Sequence, residues 1–134
     1  MKYFTPEEAN NLIPRLEELI SLLRASLEEL LANQVAAEAL TNSESPPGGN
    51  GHSIHLESRA RALQAERRQI EGHLQQGLDE ASSLGIEIKD INAGLADFRT
   101  LRGGREVYLC WRMGEQSIEY WHELDTGYGG RERL

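Results

Sequence analysis

The string Trp121-His122-Glu123-Leu124-Asp125 sets an imidazole and a carboxylate three residues apart. At a strand end such a pair suits a shared divalent metal, or a base with its orienting acid, and Asp90, Asp97 or Glu119 would supply further oxygen ligands. The plainer use of the same residues is structural: His122 closes a sheet edge, and Asp125 caps the Thr126-Gly127 turn through its own side chain. Trp121 is a contact residue for a flat ligand, whereas Trp111 falls on a face that reads as core.

A second group is cationic. Arg112, Arg131 and the run Arg99, Arg102 and Arg105, with the amides of Gly103-Gly104, would make a local site for a phosphate or carboxylate. Pairing is the alternative, with Arg112 opposite Glu119 and Lys89 opposite Asp97 across their hairpins. Gly-Gly outside a strand-to-helix turn is not a phosphate-loop fingerprint. His52-x-x-His55 has metal-ligand spacing on a helix but reads as surface histidine. Cys110 is the single cysteine, which excludes an intramolecular disulfide and a zinc site built from cysteines. With no histidine beside it in sequence it reads as a small buried residue rather than a nucleophile.

These residues belong to a chain of 134 residues in which 14 Lys and Arg face 22 Asp and Glu, a net charge of −8. The length suits one domain, residues 1–134, with one core. The acidic balance argues against nucleic acid, whose backbone is held by surplus cations. No apolar run approaches the roughly 18 residues of a membrane span, and the N-terminus has no secretory h-region, so the cytoplasm is the expected compartment.

Thr5-Pro6-Glu7-Glu8 is a helix start: a capping Thr, a Pro at the first helical position and a Glu three residues after the cap. Leu12, Leu16, Leu19, Leu23, Leu27, Leu30 and Leu31 then recur at helical spacing to about Leu40. Pro14 is expected to kink this helix or make it start separately. Residues 41–52 read as a flexible loop. A second helix follows over about Ser53 to Leu84, with Leu56, Leu63 and Ile70 seven apart; Gly72 and Gly77 suggest a close approach of another backbone. Two helices of about 30 residues would make a coiled-coil-like antiparallel hairpin some 45 Å long, with more apolar stripe than a small sheet covers. Self-association into a dimer is the simplest remedy.

Beyond Gly85 the period changes to two. Ile86–Lys89 and Leu95–Phe98 form one hairpin around Asn92-Ala93-Gly94, and Arg99–Arg105 forms a loop. Val107–Arg112 and Ser117–His122 form a second hairpin around Gly114-Glu115. That turn would set Trp111 opposite Ile118, Leu109 opposite Tyr120 and Val107 opposite His122. The fold class is therefore α+β, a long antiparallel helical hairpin followed by a small antiparallel sheet and a Gly-rich tail.

Phe4-Thr-Pro-Glu-Glu-Ala-Asn, Gly85-Ile-Glu-Ile-Lys-Asp, Gly94-Leu-Ala-Asp-Phe, Leu109-Cys-Trp-Arg-Met-Gly-Glu and Trp121-His-Glu-Leu-Asp-Thr-Gly-Tyr-Gly-Gly-Arg131 resemble an uncharacterised bacterial family, domain of unknown function 2203. The resemblance spans nearly the whole chain and implies no activity or cofactor. It directs attention to Asp90, Asp97, Trp111, Arg112, Trp121, His122, Asp125 and Arg131, which lie in its motifs.

Two functions follow as expectations. The first is a non-enzymatic interaction or adaptor module, a homo-oligomer through its helices with a possible protein partner, without nucleic acid or membrane. The second is a small-ligand or divalent-metal site on the C-terminal sheet, centred on His122 and Asp125 and drawing on Asp90, Asp97, Arg112, Trp121 and Arg131.

Overall fold

A computed structural model of the chain describes residues 2–42 and 50–134, with residues 50–53 as backbone only. Helices α1 (Pro6–Thr41) and α2 (Asn50–Ser83) precede strands β1 (Ile86–Asp90), β2 (Leu95–Arg102), β3 (Arg105–Arg112), β4 (Tyr120–His122) and β5 (Glu132–Arg133), with a 3₁₀ turn at Tyr128–Gly130. The strands form one antiparallel sheet in the order β1-β2-β3-β4-β5. The α+β architecture is the expected one. Of the anticipated loop, residues 43–49 lie outside the described residues, while Thr41 and residues 50–52 are helical.

Helix α1 begins with the reciprocal cap its sequence encodes. The Thr5 amide donates to Glu8 Oε1 at 3.0 Å and the Glu8 amide to Thr5 Oγ1 at 3.1 Å, which satisfies two of the amides a helix start leaves open. Pro14 lies inside α1, so the expected separate start does not occur. Its position is exposed, where a carbonyl deprived of its helical partner meets water.

Contacts divide the chain into two compact units, Met1–Arg24 with Gly77–Leu134, and Ala25–Gln76. In the second, α1 and α2 run antiparallel and bury Leu63 and Ile70. Buried Asn33 donates through Nδ2 to the Leu63 carbonyl at 2.9 Å and to Glu66 Oε1 at 3.1 Å, a polar contact that fixes which residues of the two helices face each other.

In the first unit Phe4, Ala9, Ile13, Leu16, Leu19, Ile20 and Ala81 pack on Ile86, Ala96, Phe98, Leu109, Trp111 and Ile118. Each large side chain so buried stabilises the fold by roughly 1.5–3 kcal/mol. Gly77 permits the approach of Leu23, whose Cδ2 lies 2.9 Å from where a Cβ would stand; nothing lies within 4 Å of that point at Gly72. The apolar residues of β1–β4 alternate onto one face of the sheet, so the opposite face is left for polar groups.

Two strand expectations are corrected. Residues 99–105 are not a loop: β2 continues to Arg102, and Gly103 and Gly104 (φ 59° and 79°) turn it directly into β3. Such a two-residue link with both φ positive matches the strand twist and builds the longest hairpin of the sheet. The second correction is one of register. Tyr108 pairs with His122, Leu109 with Trp121 and Cys110 with Tyr120, one residue away from the expected pairing. The chain turns tightly at Arg112–Glu115, where the Glu115 amide donates to the Arg112 carbonyl at 3.0 Å, but residues 116–119 do not pair with β3. Trp111 Nε1 donates to the Glu115 carbonyl at 2.9 Å and the Ile118 amide to Asn10 Oδ1 at 2.6 Å. A slip of one residue exchanges the two faces of a strand. His122 therefore moves from the apolar face to the polar one, and Trp121 moves the other way.

Candidate functional site

The polar face is built by alternation. Glu87 on β1 stands opposite Asp97 on β2, Asp97 opposite Cys110 on β3, and Tyr108 opposite His122 on β4. Central strands thus carry Asp97, Cys110 and His122 side by side, all buried. They form the floor of a cleft of about 290 Å³ whose walls include Lys89, Leu95, Tyr108, Leu124, Asp125 and Tyr128.

His122 is held at both nitrogens. Nδ1 lies 2.6 Å from the Glu123 carbonyl and Nε2 lies 3.0 Å from Asp97 Oδ2. A carbonyl only accepts, so Nδ1 is the donor to Glu123, which aims Nε2 at the Asp97 carboxyl. Burial pushes the Asp97 carboxyl above its ordinary range, outweighing the pull of the facing imidazole. Burial first, and then the Asp97 charge, push the Cys110 thiol up to about 12, against a partial offset from the nearby Arg131 guanidinium. A thiol so raised stays protonated at neutral pH and is a poor nucleophile.

The walls are braced separately. Tyr108 donates to Glu87 Oε1 at 2.8 Å, Arg99 Nε to Glu87 Oε2 at 2.8 Å, and Lys89 Nζ to Glu87 Oε1 at 3.1 Å. Burial pushes the Glu87 carboxyl up, but these three donors together hold it below its ordinary value. On the other side Arg131 makes a two-pronged pair with Glu115, at 3.1 and 2.7 Å, and lies 4.0 and 4.3 Å over the rings of Tyr120 and Tyr128. This is the planar fork-to-carboxylate geometry that arginine supplies and lysine does not. It ties the Gly-rich tail to the sheet.

A family model described as "Uncharacterized conserved protein (DUF2203)" matches residues 2–134. The chain belongs to this family. Comparison with curated proteins and with solved structures finds no match.

Of the residues of this DUF2203 chain singled out from sequence, the cleft brings together Asp97, His122 and Asp125, the first two at its floor and Asp125 on its exposed rim. Arg131 does not line the cleft, but its guanidinium is close enough to Cys110 to act on the thiol electrostatically. Asp90 does not join them: its Oδ1 accepts the Ala93 amide at 2.9 Å and caps the β1–β2 turn. Arg112 is exposed, pairs with the Tyr128 hydroxyl at 3.1 Å and not with Glu119. Trp121 is corrected as a contact residue, since it is only 8% exposed and sits on the apolar face, with Arg102 stacked 4.6 Å above its ring. His122 does not close an edge either, because β5 pairs beyond β4. Lys89 is bound to Glu87 rather than to Asp97. Cys110, Tyr108 and Tyr128 were missed as site residues. The signal for Cys110 lay in its two-residue spacing from Tyr108 and Arg112, which puts it on the polar face once the register is known.

Proposed function

We propose that the protein is a non-enzymatic binding module whose working surface is the polar face of its C-terminal sheet, taking a small ligand or a divalent cation in the cleft over Asp97, Cys110 and His122. The observation that carries this reading is the buried Asp97–His122 contact at 3.0 Å on the floor of an open cleft. Taking such a pair out of water costs several kcal/mol per charge, and apolar residues of similar size would pack there at no such cost. Titratable groups perturbed by burial and by a specific charged partner, as Asp97 and Cys110 are, cluster at functional sites in clefts. The raised Cys110 thiol supports binding over covalent catalysis.

The test is thermal melting of the full chain against a panel of small carboxylates, inorganic phosphate and divalent cations, in the wild type and in the His122→Ala, Asp125→Ala variant. A melting temperature raised by one panel member in the wild type and unmoved in the variant is the expected result. Equal shifts in both proteins, or none in the wild type, contradict the reading.

A second reading, self-association through the helices, is favoured by Leu31 and Val35 of α1 and Ile54 of α2, which are 63%, 58% and 65% exposed. Exposed large apolar side chains four apart on a helix suit a partner helix. Leu23 belongs to the interior, so the variant that probes a dimer is Leu31→Lys with Val35→Lys. Light scattering should show a halved mass; a monomer in the wild type contradicts the dimer. Among the described residues no helix is long and apolar enough to cross a membrane, and a single cysteine outside any disulfide fits the cytoplasm of a bacterium.

A further inference from the structure

We propose that Asp97, Cys110 and His122 form a three-donor centre for one transition-metal ion of the zinc class, bound through a carboxylate oxygen, Sγ and Nε2, with the fourth position facing the cleft. The proposal rests on the binding reading above and names its ligand. The donor atoms of the three residues lie within 4.8 Å of one another. Tetrahedral zinc, with bonds of roughly 2.0–2.3 Å, needs its ligands about 3.3–3.8 Å apart. His122 Nε2 and Asp97 Oδ2, now 3.0 Å apart, would part by about 0.3 Å, and no pair would have to close by more than about 1.5 Å.

Three further features fit a metal. The Nδ1–H of His122 is committed to the Glu123 carbonyl at 2.6 Å, which turns Nε2 inward in the orientation that outer partners impose on metal-bound imidazoles. Arg131, clamped by Glu115, is close enough to Cys110 to favour its charged form, so the thiolate would have a fixed cationic neighbour. Once binding has released the Cys110 thiol proton to solvent, a thiolate and a carboxylate cancel the charge of a divalent ion, leaving a neutral buried unit. The sulfur and imidazole donors select zinc, cobalt or copper over magnesium and calcium, which need oxygen. Three protein ligands with one open position is the arrangement in which the ion receives a further ligand from the cleft.

The experiment is titration of the reduced, tag-free full chain with Co²⁺, followed by optical absorption, with Zn²⁺ as competitor. Expected is one Co²⁺ per chain, a thiolate-to-metal charge-transfer band, loss of that band on adding Zn²⁺, and affinity weakened by more than about 100-fold in Cys110→Ser, beyond what removal of an outer partner costs. X-ray absorption of the Zn²⁺-loaded wild type needs no variant, and should show one sulfur with nitrogen and oxygen neighbours. Binding without a sulfur neighbour overturns the centre. No uptake of either ion, with a small anion still protecting the cleft, overturns the metal and leaves the binding reading; no response to any probe removes both.

Discussion

His122 meets Asp97 across a gap of 3.0 Å between residues 25 positions apart, on strands that do not pair with each other. Strand β3 lies between them and contributes Cys110 to the same floor. The site is thus a product of three strands held in one register.

The first consequence is a pH dependence. Asp97 has its carboxyl raised by burial above an ordinary value of 3.8. Between the unfolded and the folded value the native state holds more protons, so this residue's contribution to stability is full below about 3.8 and is lost as pH rises through the folded value. Glu87 is shifted the opposite way, so the comparison must isolate Asp97. The stability difference between wild type and Asp97→Asn, measured by urea unfolding in chelator, should move against the wild type from acid to neutral pH. A difference constant with pH contradicts the assignment.

Two glycine substitutions should differ in sign. Gly94, at φ 72°, accepts the Met113 amide at 2.8 Å, and a Cβ there would stand 2.6 Å from Met113 Cβ. Gly94→Ala should cost about 1–3 kcal/mol from crowding and an unfavourable φ. Gly72 is exposed inside α2 with no heavy atom within 4 Å of an added Cβ, and Gly72→Ala should stabilise by about 0.5–1 kcal/mol. Thermal unfolding checks both; destabilisation at Gly72 would mean that another backbone does approach there.

Arg131 braces the tail from inside. Its side chain pairs with Glu115 and stacks between Tyr120 and Tyr128. Arg131→Met keeps the length and removes the fork, so amides from residue 126 to the end of β5 should exchange faster, with opening easier by about 1–2 kcal/mol. Hydrogen exchange by mass spectrometry reads this directly. Unchanged protection over those residues would show that backbone pairing alone holds the tail.

What could be read from the chain divides by range. The Thr5–Glu8 cap, the leucine periodicity and the change to alternation after Gly85 are local, and each reappears in the fold. The β3–β4 register is not wholly local. Its long-range element is Asn10 of α1 holding the Ile118 amide, a contact that no spacing within residues 107–122 encodes, added to the local closing of Glu115 on Trp111 and Arg112. That single residue of slip decides whether His122 lies among apolar side chains or beside Asp97 and Cys110. His122, Asp97 and Asp125 were legible as polar residues in suggestive places, whereas Cys110 was marked only by its two-residue spacing from Tyr108 and Arg112.

The central claim, that the cleft on the polar face of the sheet is where this protein binds, is tested most directly by amide NMR of the ¹⁵N-labelled full chain titrated with Zn²⁺ and, separately, with the panel member that raises the melting temperature. The account requires that the signals of Asp97, Cys110, His122 and residues 124–128 move first and saturably, with those of Leu31 and Val35 unmoved. Shifts confined to the helices, with the sheet signals still, would contradict it.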